Sequence, residues 1–467
     1  MSEGSKLGIV GAMSIAVGGM IGGGVYSVLG VVILQGGAAS WMAFTVACLI
    51  SMGAAYSYIK LNKISGKKGG SVTQIEAFTG RSTLAGMVGW TLLFGYLGAV
   101  GMYAFAFGGF SIELLERNGI ITSETIVGLP IQTLLSVSII VAVVVTVVAG
   151  TQITGIVEVI LSGTKVAIIA GFGIWGYLYG FGVGGFEPVA PIEFGFEELR
   201  APGSIFIAAG ISFVSFQGWQ LLIYDQEDIR NPERNVPIAI YASIILTIIL
   251  NGTIAILVFT YASIDQILAD PEVAVAFAAE TFIGPWGFLI IALSALVSTA
   301  SAIIATLYSS AHFAKGMIRS GLLPDRAGNT SVTGAPPRTV IALGTLSVVM
   351  VAIGRLEGVV SFGSLMFMIV FGSMSYLALT QRHHEDVNII PPLVGFVGSF
   401  ASVPILLRHL YLNEPTEFVM VVLTAAFALS VELLYFGRET IWDGVKQGQG
   451  KIGDVLTSES TKQETES

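Results

Sequence analysis

The sequence has little charge and almost no cysteine. Asp, Glu, Lys and Arg make up 11 % of its 467 residues, whereas hydrophobic residues make up 54 %. Soluble globular proteins carry about 25 % charged residues, so this composition excludes an ordinary soluble domain. The single cysteine, Cys48, lies in an apolar run, which excludes a disulfide framework. The chain also lacks the glycine-rich phosphate-binding motif of ATP-driven proteins, so direct ATP drive is unsupported.

The chain has instead a series of long apolar runs, separated by short charged segments. A run of about 20 residues can span the roughly 30 Å hydrocarbon core of a bilayer, and the alternating strands of about ten residues that build a membrane β-barrel do not occur. We therefore predict an all-α polytopic membrane protein with twelve transmembrane helices. They cover residues 7–34, 38–60, 83–112, 130–150, 153–180, 203–228, 236–260, 284–316, 338–354, 359–381, 391–409 and 417–437.

Lysine and arginine fall mainly on one side of these predicted helices. With the N-terminus placed in the cytoplasm, the inner segments contain seventeen of these residues and the outer loops contain four. This asymmetry predicts a multi-pass protein with both termini in the cytoplasm, and we expect it in the plasma membrane. The outer segment 261–283 has an apolar pattern but carries several acids, so we expect a short helix lying on the protein rather than a span.

Glycine is concentrated at the middle of the first predicted helix. Residues 17–27 read VGGMIGGGVYS, and five of these eleven residues are glycine. Unwound backbone at the membrane midplane is tolerated only where it lines a cavity enclosed by protein, so the glycines suggest a break at a binding site. Small residues four apart also allow membrane helices to pack closely, and Gly18–Gly22 and Gly19–Gly23 have that spacing. The first helix alone does not decide between these interpretations.

The sixth predicted helix has a matching interruption. Its middle, residues 213–219, places Ser215, Gln217 and Gly218 among bulky side chains. Helices one and six start on opposite sides of the membrane, because five helices lie between the two starts. A broken helix leading each of two oppositely oriented units is typical of inverted-repeat transporters. We predict a first repeat at 1–183 (helices 1–5), a second at 184–382 (helices 6–10), two extra helices at 383–437 and a disordered cytoplasmic tail at 438–467.

The two breaks together predict a substrate site. A broken helix frees amides at the start of its second half, and these suit an anion such as a carboxylate. The freed carbonyls at the end of the first half suit an ammonium group or a metal cation. The predicted amides are those of Gly22, Gly23 and Gly24, and the predicted carbonyls lie near Gly19, Met20, Ile21, Phe213, Val214 and Phe216.

Four blocks of sequence resemble one family of transporters. GGMIGGGVYS (18–27) resembles the first-helix signature of the amino acid–polyamine–organocation (APC) superfamily. GKKGGSVTQIEAFTGRSTLAGMVGW (66–90), GISFVSFQGWQLLIYDQEDIRNPERNVPIAI (210–240) and AKGMIRSGLLPDRAGNTSVTGAPPRTV (314–340) resemble later blocks of these permeases, in family order.

The resemblance implies a leucine-transporter-like 5+5 inverted repeat with broken helices 1 and 6. It also implies an amino acid site in which the carboxylate meets the Gly22–Gly24 amides and the amino group meets the Met20, Ile21, Phe213 and Phe216 carbonyls. Trp219 follows the second break and either covers the substrate or packs on helix six. Many members have alanine between aromatic residues before the glycine, whereas this chain reads Val214-Ser215-Phe216, so the pocket wall differs.

Lys165 lies near the middle of the fifth predicted helix. A charge at that depth costs about 2.5–3.5 kcal/mol on insertion scales, so an intramembrane lysine is a functional hypothesis by default. In permeases of this superfamily that do not use sodium, a similar lysine occupies the place of a sodium ion between helices one and eight. The resemblance then implies contacts to carbonyls near Gly19 and to a hydroxyl of Ser298 or Thr299. Proton loading by Lys165 and a fixed cation in a uniporter or exchanger both remain open.

The predicted function is a sodium-independent secondary active amino acid permease, not an enzyme, which works by alternating access without a cofactor or a metal. We expect an amino acid as its small-molecule partner and no nucleic acid, with a proton as candidate coupling ion. The named pocket residues are mostly Gly, Phe, Val and Ile, which favours a small or neutral apolar substrate. A cationic amino acid or polyamine transporter is the alternative within the class, and a non-transporting membrane sensor or enzyme is the alternative outside it.

Overall fold

The computed structural model describes residues 7–67, 69–121, 125–126, 128–149, 155–224, 226, 229–323, 336–427 and 430. Over these ranges the regular structure is helical, apart from a short antiparallel hairpin and an isolated bridge between Leu7 and Ile229. The hairpin joins β1 (Thr125–Ile126) to β2 (Leu129–Pro130), with Thr125 opposite Pro130. The predicted tail at 438–467 lies outside the described residues.

The helices follow the predicted spans closely. They are α1 (Ile9–Gly23), α2 (Leu29–Gly36), α3 (Ser40–Ser65), α4 (Ser71–Thr79), α5 (Ser82–Arg117), α6 (Ile131–Val148), α7 (Gly155–Gly180), α8 (Gly203–Ser212), α9 (Leu221–Tyr224), α10 (Pro232–Tyr261), α11 (Ile264–Ala269), α12 (Ala274–Ile283), α13 (Pro285–Arg319), α14 (Pro337–Ile353), α15 (Leu356–Thr380), α16 (Ile390–Asn413) and α17 (Pro415–Phe427).

The described residues contain nine helical segments that are long and apolar enough to cross a membrane. The first of these, Ile9–Ser65, runs from α1 to the end of α3, and the shorter apolar helices α14 and α17 come in addition. This confirms the all-α polytopic membrane protein. The exact count of twelve and the 5+5 repeat stay predictions. The chain divides into residues 1–421 and 422–467, and the described residues of the second unit, 422–427 and 430, are helical.

Helices one and six lie inside the protein rather than against lipid. In Ile9–Ser65 the most apolar stretch is 94 % buried, and in Gly203–Tyr224 it is 89 % buried. The corresponding stretches of α6 and α16 are only 28 % buried. Peripheral helices therefore carry the lipid-facing surface, and the two helices predicted to break occupy the interior.

The predicted break in helix one is wrong in this structure. α1 continues through Gly23, Gly24 keeps right-handed angles (φ −64°, ψ −54°), and a π-helical turn over Gly24–Val28 leads into α2. The reason is close packing. A Cβ atom on Gly22 would lie 2.9 Å from the Cβ of Ala302, and one on Gly23 would lie 2.9 Å from the Cε of Met102. The glycines serve as a packing face, and the helix widens instead of unwinding.

Helix six is interrupted as predicted. α8 ends at Ser212, a 3₁₀ turn covers Phe213–Phe216, and Gln217 is extended (φ −75°, ψ 146°) before the short α9. Gly218 has a φ of +130°, a region that is essentially confined to glycine. The backbone therefore leaves the helical path over Gln217 and Gly218.

The outer segment 261–283 forms two short helices, α11 and α12, where one was expected. Ser263 caps α11 in a capping box with Gln266, and a 3₁₀ turn at Pro271–Val273 joins the two helices. Residues Ala274–Ala279 are buried. The apolar pattern of this segment therefore reflects packing on the protein.

Candidate functional site

The interrupted part of helix six lies directly on the glycine face of helix one. A Cβ atom on Gly19 would lie 3.4 Å from the Cα of Gly218, and one on Gly218 would lie 3.3 Å from the Met20 nitrogen. All predicted substrate-binding residues are buried. They are Met20, Ile21, Gly22, Gly23, Gly24, Phe213, Val214, Phe216 and Trp219.

Tyr103 of α5 connects the two helices. Its hydroxyl donates to the carbonyl oxygen of Gly19 at 3.0 Å and accepts from the Nε2 of Gln217 at 2.5 Å. The amide of Gly218 donates to the Oε1 of Gln220 at 2.7 Å. The Gln220 side chain therefore satisfies a backbone amide at the break, as buried polar groups require, and Tyr103 joins the Gln217 side chain to helix one.

The first half of helix six is held by α15. The Oγ of Ser364 donates to the carbonyl of Ile211 at 2.9 Å and accepts from the amide of Val214 at 3.1 Å. The neighbouring Ser215 hydroxyl is buried and has no hydrogen-bond partner among the described residues. The break thus presents a polar hydroxyl beside the apolar side chains of Phe213 and Phe216.

Trp219 packs in an aromatic cluster beyond the break. Its ring lies 4.9 Å from the ring of Phe371 and 5.3 Å from the ring of Tyr58, measured between centroids. Its Nε1 donates to the Oγ of Ser51 at 2.9 Å. These contacts agree with the interpretation that Trp219 packs on helix six. The other interpretation, that Trp219 covers the substrate, stays a prediction.

The predicted amide site on helix one is altered by the continuous helix. The amide of Gly24 donates to the carbonyls of Met20 and Ile21, so these groups are used within the helix. The side chain of Asn251, on α10, lies against Gly24 instead. A Cβ atom on Gly24 would lie 2.5 Å from its Nδ2 and 2.9 Å from its Oδ1.

Lys165 of α7 reaches α13, the predicted eighth helix. It is 5 % exposed, and its Nζ donates to the Oγ of Ser301 at 2.6 Å and to the carbonyl of Ser298 at 3.4 Å. The Thr299 hydroxyl, a predicted partner, instead donates to the carbonyl of Ala295 within its own helix. Lys165 thus contacts the helix that was expected, with Ser298 taking part through its carbonyl, and its coupling role stays a prediction.

α7 is also tied to helix one. The Oγ of Ser162, three residues before Lys165, donates to the carbonyl of Ser14 at 3.0 Å. Lys165 therefore sits on a helix that contacts both α1 and α13. Across the described ranges, no group of three or more His, Cys, Asp or Glu side chains is arranged to hold a metal ion.

Sequence reasoning missed three residues of this region. Asn251 is a lone amide in an apolar helix, and Ser301 lies one helical turn from Ser298. Both features are visible in the sequence, but each is only weak evidence for a site residue. Tyr103 gave no such evidence, because a tyrosine in an apolar run usually packs. Their roles depend on which helices meet.

A multi-helix membrane protein with an interrupted helix in its interior, lying on a second central helix, belongs to the class of membrane transporters. The comparisons with known proteins narrow this class. The amino acid permease family matches residues 7–435, and the chain belongs to that family. It is accordingly an amino acid transporter rather than an enzyme.

Several relatives share about a quarter of their residues with this chain. The inner membrane transport protein YbaT of Escherichia coli is 24 % identical, over 88 % of this chain and 91 % of its own length. The uncharacterized protein MJ0609 of Methanocaldococcus jannaschii is 26 % identical, over 92 % and 95 %. The vacuolar cationic amino acid transporter 2 of Arabidopsis thaliana is 26 % identical, over 76 % of this chain and 56 % of its own length.

Proposed function

We propose that this chain is a secondary active transporter, which moves amino acids across the plasma membrane by alternating access, with both termini in the cytoplasm. One observation carries the proposal. The break at Gln217–Gly218 lies in the protein interior against Gly19 of helix one. Irregular backbone at such depth is tolerated where it lines a cavity, and in secondary transporters broken helices typically form the substrate site.

A contact between the inner ends of helices one and six supports alternating access. Leu7 forms a parallel bridge with Ile229, and the amide of Arg230 donates to the carbonyl of Leu7 at 2.8 Å. This bridge holds the chain at Leu7 against the chain at Ile229 on the predicted cytoplasmic side. Opening toward the cytoplasm would separate them, and the same residues would rejoin when the site faces outward.

Lys165 is proposed to take the place of a sodium ion, which makes transport independent of sodium. Its ammonium group binds a hydroxyl and a carbonyl of α13, which are the oxygen ligands that a sodium ion would need. Its helix also contacts α1. Both proton coupling through Lys165 and exchange around a fixed positive charge fit this arrangement, and the pH-gradient experiment below separates them.

A small, neutral amino acid is the proposed substrate. The site residues Met20, Ile21, Phe213, Val214 and Phe216 are apolar, and no acidic side chain is among the predicted site residues. Cationic amino acids or polyamines are the second candidate, because relatives from Arabidopsis thaliana and Homo sapiens are named cationic amino acid transporters. A pocket without an acid disfavours a second cationic group on the ligand.

The test is uptake into proteoliposomes with an amino acid panel, with and without sodium and pH gradients. We expect uptake of small neutral amino acids that does not change with sodium. Lys165→Met should lower uptake at least tenfold, whereas Lys63→Met, at an exposed lysine paired with Asp386, should leave it unchanged. Acceleration by an inward proton gradient would select proton coupling. Sodium-stimulated uptake, or full activity of Lys165→Met, would contradict the proposal.

A further inference from the structure

α10 carries a polar stripe on an otherwise apolar membrane helix. Ser243, Thr247 and Asn251 are spaced four residues apart, so they lie on one face, and all three are fully buried. This face meets helix one. The Oγ1 of Thr247 lies 3.6 Å from the Sδ of Met20, and Asn251 lies against Gly24. The stripe therefore runs along the glycine-rich segment of helix one.

Asn251 has an unused hydrogen-bonding capacity. Within the described part of the chain, neither its Nδ2 nor its Oδ1 has a hydrogen-bond partner, although both atoms are buried. An asparagine amide offers two donors and an acceptor, and buried polar groups are normally paired. Polar side chains inside the membrane usually face the protein interior or a water-filled cavity and commonly mark a substrate pathway. The amide is thus available to a ligand.

The side chain also fits the space that helix one leaves for it. Gly24 has no Cβ, and an alanine there would place a methyl carbon 2.5 Å from the Asn251 Nδ2. Because the Gly24 amide is already bonded within the helix, a carboxylate beside Gly24 needs another donor. The Asn251 Nδ2 is a donor at this position.

We propose that Asn251 binds the carboxylate of the transported amino acid through its Nδ2, and so selects amino acids over the corresponding amines. This inference rests on the proposed transport of amino acids and adds to it a residue for substrate recognition. The Oδ1 of the same amide is also buried without a partner among the described residues and would accept from the ammonium group of that substrate. Asn251 thus adds an amide to a site whose other named walls are backbone, apolar side chains and the Ser215 hydroxyl.

The first test replaces Asn251 with leucine, which has a similar volume. Replacing an unpaired buried amide by an apolar group is neutral or stabilising for the fold, so Asn251→Leu should melt at the wild-type temperature or above it. Binding of the twenty proteinogenic amino acids to the purified full-length protein is measured by competition. We expect the dissociation constant of the best amino acid to rise at least tenfold. An unchanged dissociation constant would overturn the proposal.

The second test changes the charge that the carboxylate meets. Asn251→Asp keeps an acceptor but removes the donors, so its affinity for the amino acid should fall at least tenfold. Its affinity for the decarboxylated amine should rise relative to its affinity for the amino acid. Asn118→Asp, at the exposed end of α5, is the control and should change neither. Equal losses for amino acid and amine would contradict carboxylate recognition. If the wild-type protein bound no amino acid, both the proposed function and this inference would be wrong. If the wild-type protein and Asn251→Leu bound amino acids equally well, only this inference would be wrong.

Discussion

Helices one and six use glycine in opposite ways. Helix one has five glycines between Gly18 and Gly24 and remains helical, with one π-helical turn. Helix six is broken at a single glycine, Gly218. The density of glycine therefore does not say where a membrane helix opens. What matters is whether neighbouring side chains replace the lost hydrogen bonds.

The surroundings of the two segments explain the difference. At the break in helix six, Gln217, Gly218 and Val214 find side-chain partners on α5, on α15 and within the segment itself. Helix one keeps its backbone bonds, and Gly22 and Gly23 instead admit Ala302 and Met102. Polar side-chain contacts stabilise the irregular backbone of helix six, whereas the regular backbone of helix one allows close helix packing.

The largest expected effect is at Gly218. Alanine there meets a φ of +130°, with strain of about 1–3 kcal/mol, and its Cβ would crowd the Ala16 oxygen at 3.1 Å, which adds about 1–3 kcal/mol. Gly218→Ala should abolish uptake and lower the melting temperature sharply. The control is Gly252→Ala in α10, where a Cβ meets nothing closer than 3.8 Å. If Gly218→Ala showed the uptake and melting temperature of the wild-type protein, the contrast drawn between helices one and six would be wrong.

The next effect concerns the outer half of helix one, where Gly30 packs against the backbone of Pro271. The adjacent Glu272 is buried and accepts from Gln132, and burial, together with the charge of Asp270, raises the pKa of its carboxyl from 4.5 to about 7. Because the folded protein holds this proton more tightly than the unfolded chain, the contribution of Glu272 to stability is greatest below pH 4.5. It falls as the pH rises toward 7, by up to about 3 kcal/mol.

Glu272→Gln should remove this dependence, since its amide stays uncharged. Thermal melting of the purified protein at pH 5 and pH 8 measures it, and we expect the variant to be more stable than wild type at pH 8. Glu187→Gln, at an exposed outer-loop carboxylate, serves as the control. A pH dependence that persists in Glu272→Gln would show that another group causes it.

A smaller effect tests the packing face of helix one. Gly22→Ala places a methyl carbon 2.9 Å from the Cβ of Ala302, and overpacking of this kind costs about 1–3 kcal/mol. The backbone at Gly22 is already right-handed, so the added cost is steric. Ala302→Gly in the same protein should therefore restore most of the lost thermal stability. Failure of this rescue would contradict the assignment of the loss to the contact between Gly22 and Ala302.

The smallest effect is at the link between the two helices. Tyr103→Phe removes the hydroxyl that joins the Gly19 carbonyl to Gln217, and a lost buried hydrogen bond costs about 1–2 kcal/mol. Melting temperature should fall modestly, and uptake should fall with it. Tyr376→Phe, at a tyrosine that is 56 % exposed, supplies the comparison. Equal responses of the two variants would mean that Tyr103 does not couple the helices.

Much of the fold was predictable, because long apolar runs have few alternatives in a membrane. The break at Gly218 was predictable too, since polar residues surround a glycine within a bulky stretch. The pairing of Lys165 with α13 followed from resemblance to a family, although Ser301 was missed. The state of helix one was not predictable, because glycine suits both a break and a close helix contact.

The sequence by itself determined that the chain is a helical membrane protein and that helix six is interrupted near Gly218, although it also predicted a break in helix one. Hydrophobic length and the conformational freedom of glycine are local properties, so they can be read along the chain. Only the tertiary structure decided that helix one stays continuous, that Tyr103 joins it to helix six, and that Asn251 lies unpaired against Gly24. These outcomes depend on which side chains of distant helices meet. Whether a buried polar atom has a hydrogen-bond partner is decided only when those helices pack together.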